Sequence, residues 1–551
     1  MNNVILEAAG LRVSFEKSDF VLERMDFSIR EGEVIAIIGE SGSGKSTLLK
    51  ALTCLSDADA VVEGQVLFGG TNLLTLPERR RKDYRFRRFS IVFQNSREYL
   101  NPRATLREML YEILKKEYCG AELEKKAREA MTGAGLSPDL LDQHPQALSG
   151  GMVQKFQIAC ATALSPELIL LDEPTSSLDA ASRSEFIRLI AERNRTMHTA
   201  IIVVTHDMAL ARDLSARMMI LYQGIVCEMG QTCDILRQPR HPYTRALLNS
   251  AMELNLYKDI WGIRESDSKA RTGCPFCGRC TQSIPACASA RPVLQKLPDV
   301  ERWIACCRGG IIRRLECHGL KKSFGKKEVL RDCELELYGG EIISLVGRSG
   351  SGKTTMCNLI AGFLTGDGGE VRFDGNPMTD HTPYQKRHGF QFVMQDHGDA
   401  LNRHVTVYEA VNEPLYLFEN HDDHRAAVKE VLAAVGLEHD DAFLQRKIST
   451  LSGGQRQRAA IARALITEPA VLVSDEPTSM LDSSSKANLI RLLKGIQNTS
   501  GFSMLIVTHD LACALKISDR IYLLQDGHTQ EVPRDIAPAA LETMMYDSAS
   551  K

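Results

Sequence analysis

The chain has 551 residues, a net charge of −3, and 44% apolar and 25% charged residues. That length is too great for a single hydrophobic core, and the near-neutral balance provides no global field towards nucleic acid or anionic lipid. The opening "MNNVILEAAGLRVSF" lacks the basic start and long apolar core of a secretory signal, and runs such as "VIAII" and "AIIVV" have buried-strand length. A chain working in the cytosol, or docked on a membrane through a partner, is therefore expected. In a reducing cytosol, 15 cysteines are not a disulfide framework.

The first informative stretch is "EVIAIIGESGSGKSTLLKAL" from Glu33, which predicts a strand, a glycine turn and a helix. "ERRRKDYRFRR" (78–88) and then "IVFQNS", which contains Gln94, follow. "LSGGMVQK" begins at Leu148, "ELILLDEP" at Glu167 and "TAIIVVTHD" at Thr199, the last two predicting buried strands. "RQPRHPYTRALLNS" occupies 237–250, and "RTGCPFCGRCTQSIPAC" occupies 271–287, with "ACC" at 305–307. After it the same series returns: "GRSGSGKTT" at 347–355, "FVMQDH" with Gln395, "LSGGQRQR" at 451–458, "VSDEPTSMLD" at 473–482 and "IVTHD" at 506–510. A repeat this long is a duplicated domain, not a solenoid. Alternating β-branched runs and helical stretches predict an α/β domain with a parallel sheet in each copy, with ligands at the carboxyl ends of the strands.

The motif G-x-x-x-x-G-K-S/T cradles phosphate. Glycines let backbone N–H groups curl around the anion, at the start of a helix whose dipole favours negative charge. The candidate phosphate-binding residues are Gly39, Glu40, Ser41, Gly42, Ser43, Gly44, Lys45, Ser46 and Thr47, and in the second copy Gly347, Arg348, Ser349, Gly350, Ser351, Gly352, Lys353, Thr354 and Thr355. Lys45 and Lys353 are expected to reach the β- and γ-phosphates, while Ser46 and Thr354 hydroxyls ligate magnesium. Asp172 and Asp475, at the ends of apolar strands, supply hard oxygen for the same ion. Glu173 and Glu476 come next and are expected to orient or deprotonate the attacking water.

These motifs resemble those of ATP-binding-cassette (ABC) ATPases over nearly all of 1–230 and 313–530. The fold the resemblance implies is α/β, with two P-loop NTPase domains in tandem joined by a Cys-rich irregular extension. The expected boundaries are 1–233 for the first domain, 234–312 for the extension, 313–535 for the second domain and 536–551 for a tail. The resemblance also implies that the two halves pair as an intramolecular sandwich of two ATPs. Each nucleotide would lie between one half's phosphate loop and the other half's signature, Ser149, Gly150 and Gly151 or Ser452, Gly453, Gly454 and Gln455. Gln94 and Gln395 match the glutamine loop linking magnesium to the transport partner, and His206 and His509 match the γ-phosphate switch histidine. Phe15 and Phe324 fall where the family stacks an aromatic on adenine. Met152 stands where the second signature has Gln455, so the site using the first signature is expected to be weakened but competent.

The region between the copies resembles that of oligopeptide, dipeptide and nickel importer ATPases, in which "HPYT-x-ALL" precedes a cysteine-bearing stretch. The implied function is the ATP-hydrolysing motor of an ABC importer for peptides, nickel or a related small solute. Its implied partners are two integral membrane permease subunits and an extracytoplasmic substrate-binding protein, with the chain peripheral at the cytoplasmic face of the membrane. No nucleic acid is expected as a partner, since the basic stretch 78–88 has only a mildly basic counterpart in the second copy. The alternative class is a soluble twin-cassette ATPase acting on a ribosome, nucleic acid or metalloenzyme. Cys274, Cys280, Cys287 and Cys306 resemble the cysteine set that holds a four-iron four-sulfur cluster in dipeptide-type ATPases, with Cys277 as an alternative ligand. Four thiolates suit zinc equally well, so geometry leaves iron–sulfur and zinc both open. With few large apolar groups, this stretch is expected to draw folding energy from the metal.

Overall fold

The computed structural model describes residues 3–15, 21–94, 98–176, 178–265, 272–298, 300–378, 388–394, 401–417, 424–478, 481–533 and 536–546. The chain divides into two compact units. One comprises 1–253, 269–277 and 285–310, the other 254–268, 278–284 and 311–551. The segment expected to be a single extension is thus shared out between them.

In the first unit the fully buried strand Val34–Ile38 lies between Ala200–Thr205 and Arg217–Tyr222, parallel to both, and Leu168–Asp172 and Phe89–Val92 continue the parallel set. Runs such as Val-Ile-Ala-Ile-Ile, apolar at every position, suit strands covered on both faces. The expected parallel sheet is present, but it is flanked by antiparallel strands: Ile225–Gln231 pairs with Arg217–Tyr222, and a separate antiparallel sheet is built on Val4–Phe15. Val4–Phe15 alternates buried and exposed residues over much of its length, as befits a strand covered on one face. The second unit repeats the plan around Ile342–Val346, parallel to Ser503–Thr508 and Arg520–Gln525, with Val471–Asp475 and Phe390–Val393 beyond.

The segment after the first repeat is less irregular than expected. Helices span Thr232–Arg237 and Pro242–Ser250, and Trp303–Ile304 adds an antiparallel strand beside Ile225–Gln231. Its apolar side chains need no core of their own: Leu294 and Trp303 pack on the core beneath the first sheet, and Phe276 packs between Tyr222 and Tyr243. A buried ion pair fastens this attachment. Glu228, with no solvent exposure, accepts from the backbone N–H groups of Arg240 and His241 at 2.9 and 3.0 Å and from Arg302 Nε at 2.8 Å. Among the described residues no helix is long and apolar enough to cross a membrane.

Candidate active site

Both phosphate loops connect a buried strand to a helix, Lys45–Leu52 in the first unit and Lys353–Ile360 in the second. Gly44 and Gly352 sit at φ 101° and 105°, in left-handed backbone that disfavours a side chain. A Cβ on Gly39 would lie 2.2 Å from the Leu221 carbonyl oxygen, and one on Gly347 would lie 2.6 Å from that of Leu524. The loop can turn this tightly only because these positions are glycine.

Lys45 Nζ donates to the Gly39 and Glu40 carbonyls at 2.8 and 2.9 Å, and Lys353 Nζ to those of Gly347 and Arg348 at 2.9 and 3.0 Å. Both ammonium groups are buried, which lowers their pKa, while Glu173 and Asp172, or Glu476 and Asp475, oppose the shift. The loops therefore curl around their own lysines, using carbonyls that phosphate oxygens can replace.

Asp172 and Asp475 end their strands buried, and burial raises both carboxyl pKa values. Ser46 hydrogen-bonds to Asp172, and Thr354 to Asp475. Oδ1 of each aspartate is buried without a hydrogen-bond partner. A hydroxyl and a buried, unpartnered carboxylate oxygen side by side fit a hard divalent cation such as Mg²⁺ in both units.

Glu173 and Glu476 adopt φ 47° and 45°, a strained region for a side-chain-bearing residue. Each is held there by its own N–H, donated at 2.8 Å to the Val204 or Val507 carbonyl. Glu173 Oε2 lies 2.8 Å from His206 Nδ1 and its Oε1 4.0 Å from Lys45 Nζ. In the second unit Glu476 Oε1 lies 2.9 Å from His509 Nδ1. Lysine, aspartate, glutamate and histidine are thus brought together within each unit.

The signature serines cap their helices. Ser149 Oγ accepts from Met152 N at 3.4 Å ahead of Gly150–Thr162, and Ser452 Oγ accepts from Gln455 N at 3.2 Å ahead of Gly453–Leu465. Gln455 Oε1 also accepts from Ser452 N at 3.0 Å, closing a capping box that Met152 cannot form. Gln94 is exposed just after its strand, and Gln395 lies outside the described residues. Phe15 is half-buried at the end of its strand, whereas Phe324 is 53% exposed with Lys322 Nζ 5.8 Å from its ring centre.

The expected metal site of four thiolates is not assembled. Among the described residues no three His, Cys, Asp or Glu side chains are grouped to hold a metal ion. The thiols of the first unit are neighbours: Cys274 is influenced by Cys307, Cys287 and Cys306, and Cys277 by Cys287. Burial raises the Cys274 pKa to about 12. Cys307 Sγ lies 3.2 Å from the Ala290 carbonyl and is hydrogen-bonded to Cys287, and the Cys280 sulfur accepts from Gln282 N at 3.4 Å. Among the described residues the expected ligand set is therefore not grouped around one point.

Two contacts at the loops were not expected. The Tyr243 hydroxyl accepts the Glu40 N–H at 3.0 Å, and an Arg348 guanidinium nitrogen donates to the Tyr546 carbonyl at 2.7 Å. The only hint of the first was that Tyr243 falls in "HPYT"; nothing in the sequence hinted at the second.

Comparison with known proteins then decides the family: the ABC transporter profile matches 22–176 and 330–479. The chain belongs to the ABC transporter family. It is an ABC ATPase, an ATP-hydrolysing chain with two cassettes. Residues 227–287 match the oligopeptide/dipeptide transporter C-terminal region. The glutathione import ATP-binding protein GsiA of Escherichia coli K12 is 30% identical over 96% of this chain and 86% of its own length. The peptidoglycan transport ATP-binding protein YejF of Agrobacterium fabrum is 29% identical over 96% of this chain and 92% of its own. A solved dimeric structure of the ATP-binding cassette MJ0796 aligns with 41% of this chain and 99% of its own, at 30% identity and a TM-score of 0.38.

Proposed function

We propose that this chain is the ATP-hydrolysing motor of an importer for a peptide or peptide-like solute, working with two separate membrane permeases and an extracytoplasmic binding protein, at the cytoplasmic face of the membrane. What supports this reading most is a cassette followed at once by an oligopeptide/dipeptide-type region, with a complete second cassette after it. Relatives spanning nearly the whole chain are named for glutathione import and peptidoglycan transport, which favours a small peptide-like cargo. The domain boundaries we adopt are 1–233, 234–312, 313–535 and 536–551, and the two halves pair to complete two composite sites. This reading does not depend on a metal in the thiol segment.

In each half Lys45 or Lys353 exchanges its two carbonyl partners for phosphate oxygens. Asp172 with Ser46, and Asp475 with Thr354, hold Mg²⁺, aided by Gln94 and Gln395; the ion neutralises phosphate charge. Glu173 and Glu476 orient the attacking water or accept its proton, and His206 and His509, already on those carboxylates, hold them towards the γ-phosphate. Phe15 and Phe324 stack on adenine.

For the permease contact in the first half we propose an apolar groove of about 570 Å³ lined by Phe86, Phe93, Tyr99, Leu100, Met109 and Ile113. Tyr99 is 56% exposed and stacks on Phe93 with ring centres 4.4 Å apart, an aromatic anchor ready for a partner helix. The test is membrane sedimentation with and without co-expressed permeases. The chain should pellet only with them, and Tyr99→Ala should lower that fraction without altering ATP binding. Tight association with ribosomes or DNA at physiological salt, independent of permeases, would overturn the importer reading.

A further inference from the structure

Tyr243 has no solvent exposure and stands near the start of the helix Pro242–Ser250. Its own N–H donates to His241 Nδ1 at 3.1 Å, and its hydroxyl accepts the Glu40 N–H at 3.0 Å. Glu40 is the second residue of the first phosphate loop, and its carbonyl is one of the two that hold Lys45. The Tyr243 ring is clamped on two sides. Tyr222, at the end of the strand beside Val34–Ile38, lies 4.5 Å away between ring centres, and Phe276, between Cys274 and Cys277, lies 5.3 Å away.

From this geometry we propose that Tyr243 is a positioning residue of the first nucleotide site: it fixes the Glu40 peptide, so that the segment after the first cassette sets the shape of the loop that receives ATP. The inference rests on the reading of 39–47 as a phosphate-binding loop. The hydroxyl acts through the Glu40 peptide. It occupies the Glu40 N–H, and a peptide held in one orientation binds with less ordering cost. A neutral hydrogen bond of ordinary strength corresponds to about 5- to 10-fold in affinity. The second loop has a different arrangement. Its corresponding residue, Arg348, is held through its side chain to Tyr546. Tyr243→Phe should therefore act on one site and leave the other alone, an asymmetry that general loosening of the fold would not produce.

The experiment uses the full chain and a fluorescent ATP analogue with Mg²⁺. Lys353→Ala isolates the first site, and Lys45→Ala isolates the second. Adding Tyr243→Phe should weaken first-site binding by about 5- to 10-fold and leave second-site binding unchanged. With both lysines intact it should raise the KM for ATP with little change in kcat, because Asp172 and Glu173 are untouched. Equal loss at both sites, or native affinity at the first, overturns the proposal. A Lys353→Ala chain with native Tyr243 that binds no ATP breaks the nucleotide reading itself, a separate failure. If Tyr243→Phe does not fold, hydrogen exchange on the unsubstituted chain decides: the Glu40 amide should exchange slowly without nucleotide, and fast exchange overturns the assignment.

Discussion

The two phosphate loops differ at only two positions, Glu40 against Arg348 and Ser46 against Thr354, yet they are tethered in different ways. The first is held through its backbone by a buried tyrosine hydroxyl. The second is held through an exposed guanidinium that donates to the Tyr546 carbonyl and lies 5.1 Å from that ring's centre. A buried neutral hydrogen bond is indifferent to salt, whereas an exposed charged contact is screened. A duplicated domain can thus keep its reactive groups in common and diverge in what holds them.

The largest effect should be the one the halves share. Changing both Glu173 and Glu476 to Gln should cut turnover by about 10²- to 10⁴-fold, with ATP binding retained. The single changes sharpen the comparison: Glu173→Gln should cost more than Glu476→Gln if the site using the Met152 signature is the weaker one. Equal losses in steady-state ATPase assays would mean that Met152 is neutral or that the sites fire in concert, and Met152→Gln separates the two by raising the rate only if the amide matters.

Next come the aspartates. Burial raises the folded pKa of Asp172 and Asp475, so the folded chain holds those protons more tightly than the unfolded chain. Their contribution to nucleotide-free stability is present below the ordinary carboxylate pKa and is lost as pH rises from there through the raised folded value. Asp172→Asn should therefore raise the nucleotide-free Tm at pH 7 and flatten its pH dependence, while weakening Mg²⁺ binding by about 10- to 100-fold. Asp475→Asn should do the same in the second half. A lower Tm in either variant would mean that the Ser46 or Thr354 hydroxyl and the neighbouring lysine outweigh the cost of burying the carboxylate.

The tethers should matter less. Arg348→Ala should weaken second-site ATP binding by no more than about 5-fold, as for other exposed charged contacts, and the loss should shrink as salt is raised. A loss unaffected by salt would remove the distinction drawn between the loops. The smallest effect belongs to the signatures. Met152→Gln can complete the capping box present at Ser452 and should add about 0.5 to 1 kcal/mol to stability, read by chemical denaturation.

The cluster of candidate catalytic groups was legible because each sits at a fixed interval from a strand or a glycine turn: Lys45 six residues after Gly39, with Glu173 and His206 at the ends of apolar runs. The strain at Glu173 and Glu476 was not legible, since no local residue preference calls for left-handed glutamate; the Val204 and Val507 carbonyls impose it from neighbouring strands. The Tyr243 contact joins residues 203 positions apart, and its register depends on how Phe276 and Tyr222 pack. The thiol segment was only partly legible for a related reason. Its spacing suggested ligands, but the spacing did not reveal that Leu294 and Trp303 would find a core on the first sheet, so the segment has apolar anchors as well as thiols.

The buried Glu228 bears on how the molecule can be divided for study. A fragment ending at 233 would contain that carboxylate and omit Arg302, together with the Arg240 and His241 amides that also serve it. An unpaired charge in that position costs about 3 to 5 kcal/mol, a large share of what holds a domain together. The strand Ile225–Gln231 would at the same time become a bare edge, open to pairing with other copies. An isolated first cassette cut at its apparent end should aggregate on expression, whereas a fragment carried through to 310 keeps its counter-charge and its covered edge.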